Sequence, residues 1–212
     1  MKVLPIIYEN KEIIVINKPC GLAVQGGKGV YSSVDVLLTQ QCGYKVYLVH
    51  RLDKDTAGLL IVAKDSKAAS KWTHLIANKI ITKEYKAICF GTFKEQSGVF
   101  ETPVEYKGVS KNAKTHFTVL KSGILAGTSC AASLVLLRLE TGRIHQLRIH
   151  LAQNKTPIAG DDKYGNFKLN KEMRKIGGIK KLQLASVRLG FQDEVIEIPI
   201  PSHMVKTFSL LD

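Results

Sequence analysis

Closely spaced cysteines are missing from this sequence. The four cysteines, Cys20, Cys42, Cys89 and Cys130, lie far apart and form no CxxC pair. Zinc knuckles and small disulfide-stapled folds both need cysteines clustered along the chain, so the spacing argues against either. We therefore expect reduced thiols, which are typical of the cytoplasm.

Long apolar runs and linker-like stretches are also missing. Near the N-terminus, Pro5, Glu9 and Glu12 interrupt the apolar residues, so we expect neither a signal peptide nor a membrane span there. No window is enriched in Pro, Gly or Ser, and no repeat is found. Because 212 residues, 45% of them hydrophobic, can fill one core, we predict a single domain over residues 1–212.

Acidic residues are scarce relative to basic ones. Lys and Arg total 31 against 18 Asp and Glu, which gives a formal net charge of +13. Such a charge concentrates polyanions around a protein and speeds their capture, so nucleic acid is the first partner class to consider. The alternative is a basic surface with no specific partner.

Short β-rich runs bounded by polar or glycine-containing segments recur along the chain. Helical periodicity is less frequent. It is found after Ser66, a candidate N-cap, and over residues 33–41. This mixture predicts an α+β fold. The predicted strands are Glu12–Asn17, Leu59–Lys64, Glu84–Phe90, Thr115–Leu120, Ser133–Leu139 and Val195–Ile200, and the helical face after Ser66 contains Ala68, Trp72, Leu75 and Ile76.

The densest polar segment is HRLDKDTAG, residues 50–58, which leads directly into the apolar run LLIVAK. Charged residues just before a buried strand are held on a rigid support, as a functional site requires. The alternative is a solvated turn in which Asp53 and Asp55 face water.

A second polar segment is TGRIHQLRIH, residues 141–150, whose periodicity suits either a helix or a strand. His145 and His150 would lie about 140° apart around a helix, so we expect no metal site here. Arg143 or Arg148 could bind a phosphate or a carboxylate through its guanidinium. Ordinary surface arginines are the alternative.

Two further segments combine glycine with lysine, and only the second suits phosphate contacts. The run GGKG, residues 26–29, lacks the spacing of a phosphate-binding loop, so we expect no nucleotide cofactor. Residues 168–181, KLNKEMRKIGGIKK, combine basic side chains with paired glycines, which suits a mobile loop that contacts phosphates. A solvated surface loop is equally compatible.

The segment HRLDKDTAGLLIVAK resembles the HRLDxxTSGLLxxAK signature of the RluA-type RNA pseudouridine synthases. Four more blocks resemble that family and occur in its order, so the resemblance spans residues 12–191. Ala57 replaces the usual Ser of the signature, and Gln183 stands where His is frequent. The four blocks are INKPCGLAVQGG, ITKEYKAICFG, TGRIHQLRIHLAQNKTPIAGDDKYG and LQLASVRLGF.

The resemblance implies a mixed, largely antiparallel central sheet flanked by helices and loops, with an active-site cleft across the sheet. It implies an enzyme that isomerises specific uridines in ribosomal or transfer RNA, using a catalytic aspartate and base flipping. We expect no cofactor, no metal, no membrane association and a monomer in the cytoplasm. The S4 RNA-binding module that precedes this domain in many relatives is expected to be absent.

Matched by position, the resemblance assigns catalysis to Asp53, to the active-site tyrosine Tyr85, and to Arg148, which is expected to pair with Asp53. Leu147 would lie beneath the uracil, and Arg51 would contact RNA near the displaced base. The other residues assigned to substrate binding are His50, Thr56 and Arg143.

Two other functions remain compatible with the residues. A glycosidase would use Asp53 with a second carboxylate, Asp55 or Asp161, to activate water. A non-catalytic RNA-binding protein would keep the fold without the chemistry.

Overall fold

The computed structural model describes residues 3–27 and 32–211. Lys28 and Gly29 of the GGKG run therefore lie outside the described residues. The chain divides into two compact units, Met1–Lys83 with Ser186–Pro199, and Glu84–Ala185 with Ile200–Asp212. The single-domain organisation stays a prediction. Within the described ranges no helix combines the length and the apolar character needed to cross a bilayer.

Twelve strands and five helices are formed by the described residues. In chain order they are β1 (Ile6–Glu9), β2 (Ile13–Lys18), α1 (Val34–Cys42), β3 (Tyr47–Leu48), β4 (Ala57–Ala63), α2 (Ser66–Ala77), β5 (Thr82–Phe90), β6 (Ser97–Phe100), β7 (Val104–Tyr106), β8 (Val109–Lys111), β9 (Thr115–Ile124), β10 (Ala131–Leu139), α3 (Gln146–Gln153), α4 (Phe167–Ile176), β11 (Leu184–Phe191), β12 (Glu194–Glu197) and α5 (Ser202–Phe208).

The first unit is organised around β4. Strands β1, β2, β4 and β11 follow one another in that order, β3 also pairs with β4, and β12 pairs with β11. The β1–β2, β2–β4, β3–β4 and β11–β12 pairings are antiparallel. Every residue of β4 is buried, which explains why its sequence, AGLLIVA, is apolar without alternation. The predicted strand Leu59–Lys64 is confirmed, with its start two residues earlier.

Helix α2 covers this unit with Ala68 and Trp72. Trp72 contacts Phe191 edge to face, with 5.0 Å between ring centroids, and its indole N–H donates to Glu12 Oε2 at 2.9 Å. The predicted N-cap was wrong by one residue. The cap is Asp65, whose side chain accepts from the Ala68 N–H; an aspartate there satisfies an N–H group that the first helical turn leaves without a partner.

The second unit contains the antiparallel strand series β5, β10, β9 and β6. Strands β7 and β8 form a separate antiparallel hairpin. A small core of Val104, Ala113 and Ile149, with Tyr164 packed against it, joins this hairpin to α3. The mostly antiparallel α+β class predicted from the sequence is confirmed.

The interpretation of residues 168–181 as a loop was wrong over most of its length. Residues up to Ile176 belong to α4, which is capped by the Asn166 side chain and buries Asn170 and Met173. The paired glycines follow the helix, as expected near a helix C-terminus. Segment 146–153, which could have been a helix or a strand, is the helix α3.

Candidate active site

The polar segment before β4 forms a tight turn. The Thr56 N–H donates to the Asp53 carbonyl oxygen at 3.1 Å. Asp53 is partly buried, Arg51 and Asp55 are exposed, and Thr56 is buried. The turn therefore leaves the aspartate partly accessible while its ends are held by buried neighbours.

A buried lysine fastens this turn to the end of β2. Lys18 is fully buried, and its ammonium donates to the carbonyl oxygens of Lys54 at 2.9 Å, Leu22 at 2.8 Å and Pro19 at 3.1 Å. The Gly21 N–H donates to the same Lys54 carbonyl at 2.9 Å. Because a buried ammonium is costly unless it is hydrogen-bonded, these bonds fix the carbonyl group of Lys54, the residue after Asp53.

His50 supports the other side of the same loop. Its Nε2 accepts from the Ile61 N–H of β4 at 3.0 Å. Burial lowers the pKa of His50 to about 3, and the charge of Lys83 adds to the effect. The imidazole is therefore neutral at physiological pH. This geometry ties His50 to the strand, and its assignment to substrate binding stays a prediction.

The entry of the loop into β4 requires glycine at position 58. Gly58 has φ +104°, and a Cβ there would lie 2.0 Å from the backbone oxygen of Ser186. Any side chain would force the backbones apart. Ala57, where the resembling family usually has serine, is 2% exposed, so its small side chain fits a closely packed position.

In the second unit, α3 is buried along Gln146–Leu151. Gln146 organises its start. The amide nitrogen of Gln146 donates to Lys114 O and Thr115 Oγ1, while its oxygen accepts from Thr141 Oγ1 and the Arg143 N–H. A buried amide with its donors and acceptor satisfied is a rigid structural element. It fixes the backbone from which Leu147 and Arg148 project.

Arg148 forms a buried, two-pronged ion pair with Asp161. Its Nε donates to Asp161 Oδ2 at 2.8 Å and its Nη2 to Oδ1 at 2.7 Å. The side chains are 11% and 1% exposed. Burial alone would raise the pKa of Asp161, but the Arg148 guanidinium and the N–H groups of Tyr164 and Lys163 outweigh it and hold that pKa below its usual value. Asp161 is therefore ionised at neutral pH.

The turn that contains Asp161 is itself held from behind by α4. The Asn170 side chain accepts from the Gly160 N–H and donates to the Asp161 carbonyl oxygen, both at 2.9 Å. At Gly160 φ is +75°, and a Cβ would lie 2.3 Å from the Lys181 carbonyl oxygen. The orientation of the Arg148 fork thus depends on a glycine and a buried asparagine as well as on Asp161.

The aromatic ring of Tyr164 lies beside the same guanidinium. The Arg148 Cζ lies 5.3 Å from the centroid of the Tyr164 ring, close enough for a cation–π interaction. The Tyr164 hydroxyl lies 2.8 Å from His145 Nδ1. His145 adopts a left-handed φ of 55° at the start of α3, a conformation that the hydrogen bond to Tyr164 helps to hold.

The remaining residues predicted for the site lie in the second unit. Tyr85 is 6% exposed on β5, opposite Leu137 of β10. Leu147 is 5% exposed on α3. Arg143 is exposed just before α3, and its Nε donates to the Asn112 carbonyl oxygen.

The structure thus places His50, Arg51, Asp53 and Thr56 together on one loop of the first unit. The second unit contains Arg143, Leu147 and Arg148, which lie on α3 and the turn before it. It also contains Tyr85, which lies on β5. Their roles, and the pairing of Arg148 with Asp53, stay predictions. Sequence reasoning missed the supporting groups, which are Lys18, Tyr164, Asn170 and Asp161 as the partner of Arg148.

The lowered pKa of His50 predicts a pH-dependent stability. Below its usual pKa of about 6.5 the unfolded chain takes up a proton that the folded chain refuses until about pH 3. The contribution of the neutral His50 to the free energy of unfolding is therefore complete above about pH 6.5. It falls as the pH drops, by up to about 1.4 kcal/mol per pH unit. Denaturant unfolding between pH 7 and 5 should show a smaller slope for His50→Gln. Equal slopes would contradict this assignment. Burial also lowers the pKa of His150 and His203, so some slope should remain.

Removing the carboxylate of Asp161 should destabilise the second unit strongly. Asp161→Asn leaves the Arg148 charge without its buried partner, and such a loss costs about 3 kcal/mol or more. The matched control is Asp162→Asn. Asp162 is 75% exposed and lies 3.6 Å from Arg174, so its replacement should change the free energy of unfolding by no more than about 0.5 kcal/mol. Equal effects of the two variants in denaturant unfolding would show that the Arg148 pair has no special weight.

Comparison with known proteins identifies, over most of the chain, the same family that the sequence motifs resemble. The family model described as RNA pseudouridylate synthase matches residues 12–153. A ribosomal large subunit pseudouridine synthase C from Rickettsia bellii is 38% identical over 180 residues, which cover 77% of this chain and 58% of that protein. A ribosomal large subunit pseudouridine synthase D from Blochmanniella floridana is 36% identical over 184 residues, covering 77% and 55%. The chain spans little more than half the length of these relatives.

A solved structure is also similar. The structure of human RNA pseudouridylate synthase domain containing 4 superimposes with a TM-score of 0.79 at 25% identity, covering 98% of this chain and 92% of that one. The match of the family model includes the loop with Asp53 and the helix with Arg148. The chain belongs to the RNA pseudouridylate synthase family.

Proposed function

We propose that this protein isomerises uridine to pseudouridine in RNA, with Asp53 as the catalytic carboxylate. The observation that carries the proposal is the family match, which contains Asp53 in its HRLD segment. The local geometry supports it. The backbone of Lys54, the residue after Asp53, is fixed by a buried ammonium, and the strand that follows the loop is wholly buried, so the carboxylate has the rigid support that catalysis needs.

The reaction breaks the bond between N1 of uracil and C1′ of the ribose, and forms a bond between C5 and the same carbon. N1 gains a proton and C5 loses one, so the product is an isomer and no redox cofactor is required. An ionised carboxylate can act as the nucleophile at C1′ or as the base, and it can stabilise positive charge at the anomeric carbon. In either role Asp53 must be ionised.

Arg148 would keep Asp53 ionised and oriented, because an opposite charge a few ångströms away favours the carboxylate form. Asp161 accepts from two of the five guanidinium N–H donors, Nε and Nη2, and these two bonds fix the orientation of the fork. Because Asp161 already fixes the guanidinium, Arg148 would pair with Asp53 without a further loss of rotational freedom. That arrangement is electrostatic preorganisation.

Tyr85 and Leu147 would enclose the displaced base. Tyr85 would stack on the uracil, and Leu147 would exclude water that could otherwise hydrolyse the detached sugar. Flipping the base out of its stack costs a few kcal/mol, and the cost is least in loops of folded RNA. Contacts from His50, Arg51, Thr56 and Arg143 would help to hold the flipped nucleotide.

Ribosomal large subunit RNA is the substrate that we propose first, because the bacterial relatives described above carry that name. Transfer RNA is the second candidate, and mapping both RNA classes separates them. We further propose that the protein works as a monomer in the cytoplasm and without a cofactor.

A glycosidase reaction would need a second carboxyl group that holds a proton. Asp161 is poorly suited to that role, since a general acid requires a raised pKa and the pKa of Asp161 is lowered by Arg148 and two N–H groups. Free uracil among the products would nevertheless identify such an enzyme.

Replacing Asp53 by Asn should abolish pseudouridine formation and leave RNA affinity within a few-fold, since the change removes one charge at the reacting atoms. Pseudouridines would be mapped in ribosomal and transfer RNA from cells with the intact gene, without it, and with Asp53→Asn or Asp55→Asn. Sites should vanish in the deletion and the Asp53 variant, and remain in the control with the exposed neighbour Asp55 changed. Sites retained in Asp53→Asn would refute the assignment.

Replacing Tyr85 by Phe should leave turnover within a few-fold, because stacking needs the ring and not the hydroxyl group. Tyr85→Leu, which removes the ring, should lower turnover much further. The comparison is single-turnover pseudouridine formation on an RNA transcript, with thermal unfolding to confirm that both variants are folded. A large loss in Tyr85→Phe would instead assign a proton transfer to the hydroxyl.

A further inference from the structure

Basic side chains are concentrated in and around α4. Residues 162–181 contain seven Lys and Arg against two acidic residues, a net charge of +5 of the +13 carried by all 212 residues. The pair of Arg174 with Asp162, 3.6 Å apart on the surface, neutralises little of it. Less than a tenth of the chain therefore supplies more than a third of its net positive charge.

The lysines of α4 share one face of the helix. Asn170 and Met173 are its buried residues. At about 100° per residue, Lys168, Lys171 and Lys175 fall within about 60° of one another on the opposite side. All three are exposed. They form a stripe about 10 Å long along the helix axis, which we call the lysine stripe.

Helix stability does not account for this stripe. Lys175 lies in the last turn, where a cation suits the helix dipole. Lys168 lies in the first turn, where a cation is disfavoured, and no acidic residue is present in that turn. Like charges three or four residues apart, as in Lys168 with Lys171 and Lys171 with Lys175, destabilise a helix. Glu172 offsets only part of this repulsion. An external anion would relieve it.

The stripe is fastened to the candidate active site in the same unit. From the buried side of α4, Asn170 bonds both Gly160 and Asp161, and Asp161 holds Arg148. Phosphates bound to the stripe would therefore lie on a support that is rigidly connected to Arg148. Phe167, 63% exposed beside Lys168, adds an aromatic surface of the kind on which unpaired bases stack.

From this charge, exposure and anchoring, we infer that the lysine stripe of α4 binds backbone phosphates of the substrate RNA and holds the strand that carries the target uridine. This inference rests on the proposed function. Flexible lysines act as point charges for phosphate without reading sequence. The stripe would thus add affinity and fix the position of the RNA backbone on the protein, while other residues select the uridine.

The test compares two variants with the same change of charge. Lys168, Lys171 and Lys175 are replaced together by Gln in the first; Lys11, Lys67 and Lys79, three exposed lysines of the other unit, are replaced by Gln in the second. The probe is an in vitro transcript of bacterial large subunit ribosomal RNA. Binding is measured at several salt concentrations, and KM and kcat for pseudouridine formation at one of them.

For the stripe variant we expect KM to rise about tenfold with kcat within about twofold, and the salt slope of log affinity to fall by about 2 to 3, roughly one per lost contact. Replacing the same three lysines by Arg should preserve binding. The control variant should change KM no more than about threefold. Equal losses in the two Gln variants, or unchanged RNA binding by the stripe variant, would overturn the inference; the latter result would point to an acidic protein partner instead.

Failure of the proposed function would be recognised separately. It would appear as no pseudouridine formation by the unaltered chain on any RNA tested. The binding measurements would still decide the inference, since loss of affinity confined to the stripe variant supports it and equal affinities overturn it.

Discussion

The buried pair of Arg148 and Asp161 is the interaction on which most of the second unit's site geometry depends. Removing two charges from water is expensive, and the pair is tolerable only because both ends of the fork and two backbone N–H groups satisfy the carboxylate. Such a requirement is restrictive. It leaves one orientation for the guanidinium, and it makes the turn at Gly160, the hydrogen bonds of Asn170 and the ring of Tyr164 parts of a single arrangement.

The first unit applies the same principle to a different charge. The ammonium of Lys18 is buried among three carbonyl oxygens, one of which belongs to Lys54, the residue after Asp53. An apolar side chain of the same length would remove the donor that these three carbonyls share, and Lys54 O would keep only its bond from the Gly21 N–H among the bonds described above. In both units a buried cation therefore organises backbone that carries a proposed catalytic or orienting group. The stability gained from either cation is small beside the penalty of removing it.

Local pattern was sufficient for the parts of the fold in which burial follows the sequence. The run after Gly58 is wholly apolar, so a buried strand was predictable, and Trp72 with its apolar neighbours marked α2 correctly. The loop predicted for residues 168–181 was wrong because the charges and paired glycines of this segment obscure the helical spacing of Leu169, Met173 and Ile176. The N-cap of α2 was displaced by one residue because Asp65 and Ser66 are both good caps.

The location of single polar residues beside a strand or helix could be predicted from the sequence, whereas contacts between residues distant in sequence could not. Thirteen residues separate Arg148 from Asp161, and 36 separate Lys18 from Lys54; no periodicity connects such pairs. The resemblance placed Asp161 within a recognised block but gave it no role.

The state of Asp161 bears on which chemistry this site can support. Hydrolysis of a glycosidic bond with a protonated leaving group needs a carboxyl group that holds its proton near neutral pH. In Asp161 the ionised form is favoured instead, since the guanidinium and two N–H groups overcome the effect of burial and lower its pKa. A carboxylate so held can orient a cation but is a poor proton donor.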